Sequence, residues 1–168
     1  KTGKPLRIVY LTNVGGSYNM LGETLRLTRE VLLEVSDFRR ENCPLSALTL
    51  GVKCGTSDAT SGIAGNPCVG AAFDQLIRAG GTAFFSETTE IIGAEDLVAK
   101  RAVNESVAKK ILSAARHWED KAKATGEDIR KINPIPANIA AGISSLEEKS
   151  LGAIAKSGTS PIQDVLKY

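Results

Sequence analysis

The amino-acid sequence predicts an α/β fold of the Rossmann-like, three-layer type, with a mainly parallel sheet and helices on both of its faces. Short runs rich in β-branched and aromatic residues alternate with longer amphipathic segments, in the order strand, helix, strand, helix, strand, helix. This order is typical of parallel strands joined by right-handed crossovers. Because 168 residues are enough for one domain with a core, we expect a single α/β domain over residues 1–168.

The first predicted unit is a strand followed by a helix. Residues 6–11 (LRIVYL) form a short apolar run with strong β propensity and are predicted to be the first strand. Residues 20–38 repeat apolar side chains at helical spacing and predict the first helix. The pair Cys43–Pro44 is expected to end this unit.

The second and third predicted strands are connected by a helix whose start and end are both marked by typical capping residues. Residues 47–52 predict the second strand, and Asn66 is expected to be the N-cap of the next helix, with Pro67 in its first turn. Gly80 ends that helix, because glycine adopts the left-handed conformation that closes many helices. Residues 82–86 (TAFFS) then predict the third strand.

The remaining chain is predicted to be mainly helical. Residues 94–101 form one short segment, and Asn104 is expected to cap a longer helix. Residues 132–145 are rich in Pro, Asn, Gly and Ser and are therefore predicted to be a loop. Residues 146–156 predict a last short helix.

Composition excludes several classes of function. A net charge of +2 is too small to indicate nucleic-acid binding, and no apolar run is long enough to span a membrane. An odd count of three cysteines, without a signal-peptide core, favours reduced thiols and a cytoplasmic location. The chain does not begin with Met, so we expect it to be a fragment of a longer catalytic chain.

Polar loops follow each predicted strand. They comprise residues 15–17, residues 53–62 and residues 86–90. In parallel α/β sheets, ligands bind beyond the carboxyl ends of the strands, where such loops meet. The sequence therefore predicts a ligand site formed by these three loops.

Four residues in these loops have side chains that could be functional, and each also has a purely structural interpretation. Cys54 at a strand end is either a metal ligand or nucleophile, or an inert small residue. Asp58 is either a functional carboxylate or the acceptor of an Asx-turn. Glu87 and Glu90 are either metal ligands or an acid–base pair, or they stabilise a helix N-terminus.

Several ordered motifs together resemble one known family. The sequence resembles the altronate/galactarate dehydratase family, and the similarity extends over almost the whole chain. The motifs that carry it are KCGTSD (53–58), SGI (61–63), NP (66–67), RAGGT (78–82), SETTE (86–90), NP (133–134) and EKSLG (148–152).

The resemblance implies a lyase that removes water from a sugar acid such as altronate or galactarate and leaves a 2-keto-3-deoxy acid. It also implies a divalent metal, Fe²⁺ or Mn²⁺, and further domains or a small partner subunit, and it is compatible with a homo-oligomer. A close branch of the family, the sulfolactate sulfo-lyase large subunit, expels sulfite instead. A third interpretation is that this chain is a non-catalytic binding or assembly domain of such an enzyme.

From the chemistry of the implied reaction, we expect roles for individual residues. Cys54 and Glu87 are the expected metal ligands. Asp58 and Glu90 are expected to act as acid or base or to orient the substrate, and Lys149 to bind the substrate carboxylate or to act as a base. The residues expected to bind substrate hydroxyl groups are Ser57, Ser61, Asn66 and Asn138. Ile139 stands where related sequences often carry Lys, which leaves the choice between the two substrate branches open.

Overall fold

The computed structural model describes residues 4–166. The chain divides into two compact units, and the division falls between Cys43 and Pro44. The sequence predicted the end of the first unit at this pair. None of the helices in the described part of the chain is both long enough and apolar enough to cross a lipid bilayer.

The first unit contains one long helix and no strand among its described residues. Helix α1 spans Ser17–Ser36, as predicted within a few residues. The predicted first strand is wrong, because residues 4–10 have no regular secondary structure and residues 11–15 form a turn. A β-strand needs a hydrogen-bonded neighbour, and these residues pair with no strand in the described part of the chain.

Helix α1 has an apolar stripe that is not buried. The stripe includes Leu21, Leu25 and Leu32, whose side chains are about 60% exposed. On its charged surface, Arg26 pairs with Glu23 at 2.6 Å and also with Glu30, at the spacings that stabilise isolated helices. The helix is therefore supported by local propensity and ion pairs within the described residues.

The second unit is built on two parallel strands. Strand β1 spans Thr49–Val52 and strand β2 spans Thr82–Phe85, and Val52 lies opposite Phe85 in the register. The parallel pairing was predicted correctly. The three-layer fold is not confirmed, because the described residues form only this two-stranded sheet and one isolated bridge between Ala102 and Ile162.

The crossover between the two strands contains helix α2, which spans Asn66–Arg78. A π-helical turn, Ser61–Gly65, leads directly into it, so Asn66 is the first residue of α2 and not its N-cap as predicted. The Asn66 amide instead donates a hydrogen bond to the Gly152 carbonyl oxygen at 2.8 Å. Gly80 follows α2 with φ +82°, a conformation that favours glycine.

The described part of the second unit contains five further α-helices: α3 (Glu95–Ala99), α4 (Glu105–Ala124), α5 (Ile129–Ile132), α6 (Pro136–Ala140) and α7 (Leu146–Ile154). Asn104 caps α4 as predicted, since its side chain accepts the Val107 amide at 3.0 Å. The predicted loop 132–145 is partly wrong because it contains the single turn α6, which Pro136 begins.

The core of the second unit lies between α3, α4 and the turn after β2. It contains Ile91, Ile92, Val98, Val107 and Ile111, each at most 5% exposed. This packing holds the turn that begins at Glu87, directly after β2. The core therefore positions the polar residues described below.

Candidate functional site

Polar side chains meet where the two parallel strands end. Lys53 and Cys54 follow β1, and Glu87 follows β2 by two residues. Because the strands are parallel, both chain segments leave the sheet at the same edge. Two of the three loops predicted to converge are therefore brought together, whereas residues 15–17 belong to the first unit.

Glu87 forms a buried ion pair at this edge. Its side chain is only 1% exposed, and its Oε1 accepts a hydrogen bond from Lys156 Nζ at 2.8 Å. Lys53 Nζ lies 3.9 Å from the second carboxylate oxygen, Oε2, which has no hydrogen-bond partner among the described residues. Two ammonium groups therefore compensate one carboxylate that is shielded from water.

Lys53 connects this pair to Cys54. Its Nζ lies 3.4 Å from the Cys54 sulfur. Burial alone would lower the pKa of Lys53, but the hydrogen bond to Cys54 and the charges of Glu87 and Glu90 raise the pKa above its ordinary value. Lys53 therefore stays cationic near neutral pH.

Lys149 is the centre of a second polar group. Its Nζ lies 3.5 Å from Glu90 Oε2 and donates hydrogen bonds to the side-chain oxygens of Asn133 at 2.6 Å and Asn138 at 3.0 Å. Asn138 is 2% exposed, and its amide donates to the Ser57 carbonyl oxygen at 2.9 Å. The predicted residues Glu90, Lys149, Asn138 and Ser57 are thus connected to one another.

Lys149, which is part-buried, and Lys156, which is buried, belong to one continuous segment. Lys149 lies in α7 and Lys156 in the 3₁₀ turn Ala155–Ser157 that continues it. Residues seven apart lie on the same side of a helix, two turns from each other. The hydrogen bond from Ser150 to the Ile92 carbonyl oxygen holds α7 against the turn that carries Glu87 and Glu90. We refer to Lys53, Glu87, Glu90, Lys149 and Lys156 as the lysine–glutamate cluster.

A small cavity with both polar and apolar lining adjoins Lys149. Its volume is about 280 Å³, and its lining includes Ser57, Asp58, Ser61, Asn66 and Lys149. Four of the residues expected to contact substrate or take part in acid–base chemistry therefore line the same cavity as Lys149. Asn138 is linked to the cavity through its hydrogen bonds with Lys149 and Ser57.

Asp58 accepts hydrogen bonds from residues of its own loop. Its Oδ1 accepts hydrogen bonds from the amide and hydroxyl of Thr60, at 2.8 and 2.7 Å, and from those of Ser61, at 2.9 and 3.1 Å. The bonds from Thr60 and then Ser61 lower the pKa of Asp58, and the carboxylate stays ionised near neutral pH. This geometry matches the Asx-turn interpretation, in which Asp58 shapes the cavity wall. A catalytic role for Asp58 stays a prediction.

The segment that follows Lys156 is positioned by contacts from α2 and from Arg101. Asp74 of α2 accepts hydrogen bonds from the amides and hydroxyls of both Thr159 and Ser160, at 2.7–3.0 Å. Arg101, which follows α3, donates to Ser157 at 2.8 and 3.0 Å and to the Ser160 carbonyl oxygen at 2.9 Å. Hydrogen bonds with both Asp74 and Arg101 therefore fix the segment directly after Lys156.

The described residues do not fit a complete metal site. Tightly held transition metals commonly have three or more protein ligands. Residues 4–166 contain no group of three or more His, Cys, Asp or Glu side chains arranged to hold an ion. The two expected ligands, Cys54 and Glu87, both face the cationic Lys53, and Lys156 already occupies one oxygen of Glu87.

Three residues of the site were not singled out from the sequence. They are Lys53, Lys156 and Asn133, which contact Cys54, Glu87 and Lys149 respectively. A signal for Lys156 was present, since it is a lone charge in the apolar and small-residue run LGAIAKSG. A lysine inside such a run is buried only when it has a charged partner.

The cluster suits a substrate that carries negative charge. It contains three lysines and two glutamates, so it retains one net positive charge when all five are ionised. Ammonium groups at a partly shielded site can bind a carboxylate and stabilise charge that develops on it. Carboxylates beside them can accept or donate a proton.

Comparison with protein families identifies the family of this chain. Residues 45–168 match the family model described as D-galactarate/altronate dehydratase, C-terminal. This chain belongs to that family. The match covers the strands, helices and site residues of the second unit.

Individual relatives include enzymes of two reaction types. The chain is 43% identical over 151 residues to galactarate dehydratase (L-threo-forming) of Escherichia coli (strain K12) and 42% identical over 142 residues to altronate dehydratase of Bacillus subtilis (strain 168). It is 38% identical over 160 residues to the (2R)-sulfolactate sulfo-lyase subunit beta of Chromohalobacter salexigens.

The alignments cover most of this chain but a minor part of each relative. They include 90%, 84% and 94% of this chain, and 29%, 28% and 40% of the three relatives in the same order. The chain therefore spans about a third of the length of the proteins it matches.

Proposed function

We propose that this chain supplies part of the active site of a hydro-lyase that dehydrates a sugar acid, such as altronate or galactarate, to a 2-keto-3-deoxy acid. One observation carries the proposal. Lys149 is paired with Glu90 at 3.5 Å within the lysine–glutamate cluster, and it also lines a cavity that carries hydroxyl, amide and carboxylate groups. A sugar acid offers the matching chemistry, since it has a carboxylate next to several hydroxyl groups.

The reaction needs a base, an acid and a group that stabilises negative charge. A base removes the proton from the carbon next to the substrate carboxylate, and the electrons of that bond form a carbon–carbon double bond. The hydroxyl group on the next carbon leaves with a proton from an acid, as water. The resulting enol rearranges to the keto acid. Charge that accumulates on the substrate carboxylate is stabilised by nearby cations.

We assign these tasks to residues of the cluster and cavity. Lys149 binds the substrate carboxylate and stabilises its developing charge, and Glu90 is the proton-transfer group beside it. Ser57, Ser61 and Asn66 are the proposed partners of the substrate hydroxyl groups, because they line the cavity next to Lys149.

Sulfolactate is the second candidate substrate. It carries a carboxylate and a hydroxyl group on the carbon that loses the proton, and its leaving group is sulfite. The observation in its favour is the alignment with the sulfo-lyase subunit beta, which spans 94% of this chain. Sulfite leaves without a proton, so this reaction depends less on an acid. A non-catalytic binding or assembly role is the third alternative.

We also propose that the full-length enzyme uses Fe²⁺ or Mn²⁺, with ligands supplied in part from outside residues 4–166. When bound, such an ion would polarise the substrate carboxylate. Metal analysis of the purified full-length protein tests this, with activity measured after chelation and after metal is restored. Full activity in protein free of Fe and Mn would contradict it.

The decisive experiment uses the full-length enzyme with altronate, galactarate and sulfolactate, and measures keto-acid and sulfite formation. We expect the Lys149→Met variant to lose about 100-fold or more in kcat/KM, because it lacks the charge beside Glu90. Lys149→Arg is the matched control, which keeps the charge. Near-normal turnover of Lys149→Met would show that Lys149 has no role in the mechanism. Formation of sulfite would identify sulfolactate, the second candidate, as the substrate. Absence of turnover with all three compounds would favour the third alternative or another hydroxy acid.

A further inference from the structure

A long groove follows the edge of β2 that faces away from β1. Every residue from Gly81 to Thr88 contributes to its lining, and its volume is about 610 Å³. The opposite wall is largely apolar and includes Phe73, Ile77, Ile111, Ile162 and Val165. Because the lining includes all of β2, together with Gly81 and the first residues after the strand, the groove follows β2 along its length. We refer to it as the β2 groove.

The backbone of β2 is available for hydrogen bonding on this side. The amides of Thr82 and Ser86 donate to the carbonyl oxygens of Leu48 and Val52 on the β1 side, at 3.0 and 3.1 Å. Successive residues of a strand direct their backbone groups to opposite sides. The amides and carbonyl groups of Ala83 and Phe85 therefore face the β2 groove.

The side chains of β2 are typical of a strand that has a neighbour on both sides, and not of an exposed edge strand. The sequence of β2 is TAFF, which contains no charge, proline or glycine. Natural sheet edges that stay exposed are commonly protected by charged residues, proline or bulges. Phe84 is 46% exposed and Ile77 is 37% exposed among the described residues. Parallel sheets, moreover, are normally covered on both faces and contain more than two strands.

We propose that a β-strand from the part of the full-length polypeptide outside these 168 residues occupies the β2 groove and pairs with β2. The relatives are about 2.5 to 3.5 times as long as their aligned regions, so such a segment is available in a protein of that length. Leu166 lines the groove, and a strand that follows this point needs only a short connection to reach β2. This inference does not depend on the proposed function.

The occupant would also border the active site. The β2 groove extends to Glu87 and Thr88, where β2 reaches the lysine–glutamate cluster. The end of the incoming strand, or the loop attached to it, would therefore lie beside Glu87. The strand is expected to be apolar on both faces, since the groove walls and Phe84 present apolar surface to it.

Amide hydrogen exchange in the full-length enzyme, resolved to single residues by fragmentation in the mass spectrometer, tests the proposal directly. We expect the Ala83 and Phe85 amides to exchange at least about 100-fold more slowly than in an unstructured peptide, as paired strand amides do. Exchange of both amides within about tenfold of the unstructured rate, while Thr82 and Phe84 are protected, would overturn the proposal.

Dilution separates an internal strand from a second copy of the chain. Protection that is unchanged when the enzyme is diluted to a sedimentation-verified monomer supports an occupant from the same polypeptide. Protection that disappears on dissociation overturns it in favour of pairing between copies.

A pair of substitutions gives an independent test. Ile77 lines the β2 groove and is 37% exposed, whereas Leu97 of α3 is 44% exposed and does not line it. Ile77→Ser should lower the Tm of the full-length enzyme by at least several degrees more than Leu97→Ser, since only Ile77 would be covered by the added strand. Equal shifts would contradict the proposal.

Discussion

Glu87 is a buried carboxylate that depends on cationic partners. Its carboxylate is almost fully removed from water and meets Lys156 at 2.8 Å, with Lys53 at 3.9 Å from the other oxygen. An isolated carboxylate in such a place would be strongly unfavourable, so its partners are required for the fold as well as for any reaction.

Removing both partners of this pair should therefore cost less than the sum of the two single removals. We expect Lys156→Met alone to cost about 3–5 kcal/mol, because it leaves Glu87 buried with only the more distant Lys53. The Glu87→Gln, Lys156→Met double variant should recover about 2 kcal/mol relative to the sum of the single variants. Urea unfolding of the four proteins measures this coupling. Strictly additive effects would show that the two side chains do not act as a pair.

At the scale of elements, α2 and the segment after α7 form the packing that places Lys156. Gly70 of α2 lies against Ala155 and Gly158, and Asp74, one turn later, binds Thr159 and Ser160. A glycine permits close approach of two backbones, and a carboxylate then satisfies the amides of the loop. Both features lie on the same side of α2.

The Asp74 contacts predict a pH-dependent stability. Burial alone would raise the pKa of Asp74, but hydrogen bonds from Ser160 and Thr159 lower it from 3.8 to about 2. The stabilisation is therefore present above about pH 4 and is lost as the pH falls to about 2. The Asp74→Asn substitution should lower the free energy of unfolding by about 2 kcal/mol at pH 7. Between pH 4 and pH 2, the variant should lose less stability than the unsubstituted chain. Thermal unfolding across this range provides the comparison, and identical pH profiles would contradict the assignment.

The close approach at Gly70 predicts a strong effect of one methyl group. A Cβ at position 70 would overlap the Ala155 carbonyl oxygen, whereas a Cβ at Gly65 would meet no atom within 4 Å. Gly70→Ala should destabilise the chain by at least about 2 kcal/mol, and Gly65→Ala should be close to neutral. Both changes are Gly→Ala in helical backbone, so the measured difference in unfolding free energy reports packing. Similar values for the two variants would exclude the close contact.

At the scale of the whole molecule, the chain contains a coherent polar site but spans only about a third of its relatives. The residues that it supplies are Lys149, its partner Glu90, and hydroxyl and amide side chains around one cavity. The described residues do not provide a complete set of metal ligands. The site is therefore expected to reach full activity only in the longer polypeptide.

This expectation can be measured by comparing the 168-residue chain with the full-length enzyme on the same substrates. We expect kcat/KM of the shorter chain to be at least about 1000-fold lower, because preorganised charge stabilisation is a large part of enzymatic rate enhancement and would be incomplete. Circular dichroism of the shorter chain controls for its folding. Comparable turnover of a folded 168-residue chain would show that its own residues are sufficient.

The sequence by itself determined the long helices and the two strands of the sheet, and it indicated several members of the candidate site. Helical periodicity, the cap at Asn104 and the glycine after α2 identified the long helices, since these signals act between residues close in the chain. The polar loops after β1 and β2 indicated Cys54, Glu87 and Glu90, and parallel pairing brought those loops to one edge. The family resemblance added Lys149 and Asn138.

Only the tertiary structure decided which groups pair and which predicted strand forms. Residues 6–11 have strand-like composition but no neighbour among the described residues, and a strand is stabilised by partners distant in sequence. The partners of Glu87 and Lys149 could not be inferred from spacing, since Lys156 and Asn133 reach them through the packing of α7. Local sequence signals specify helices and turns, whereas pairing of buried charges depends on contacts between segments that only the folded chain brings together.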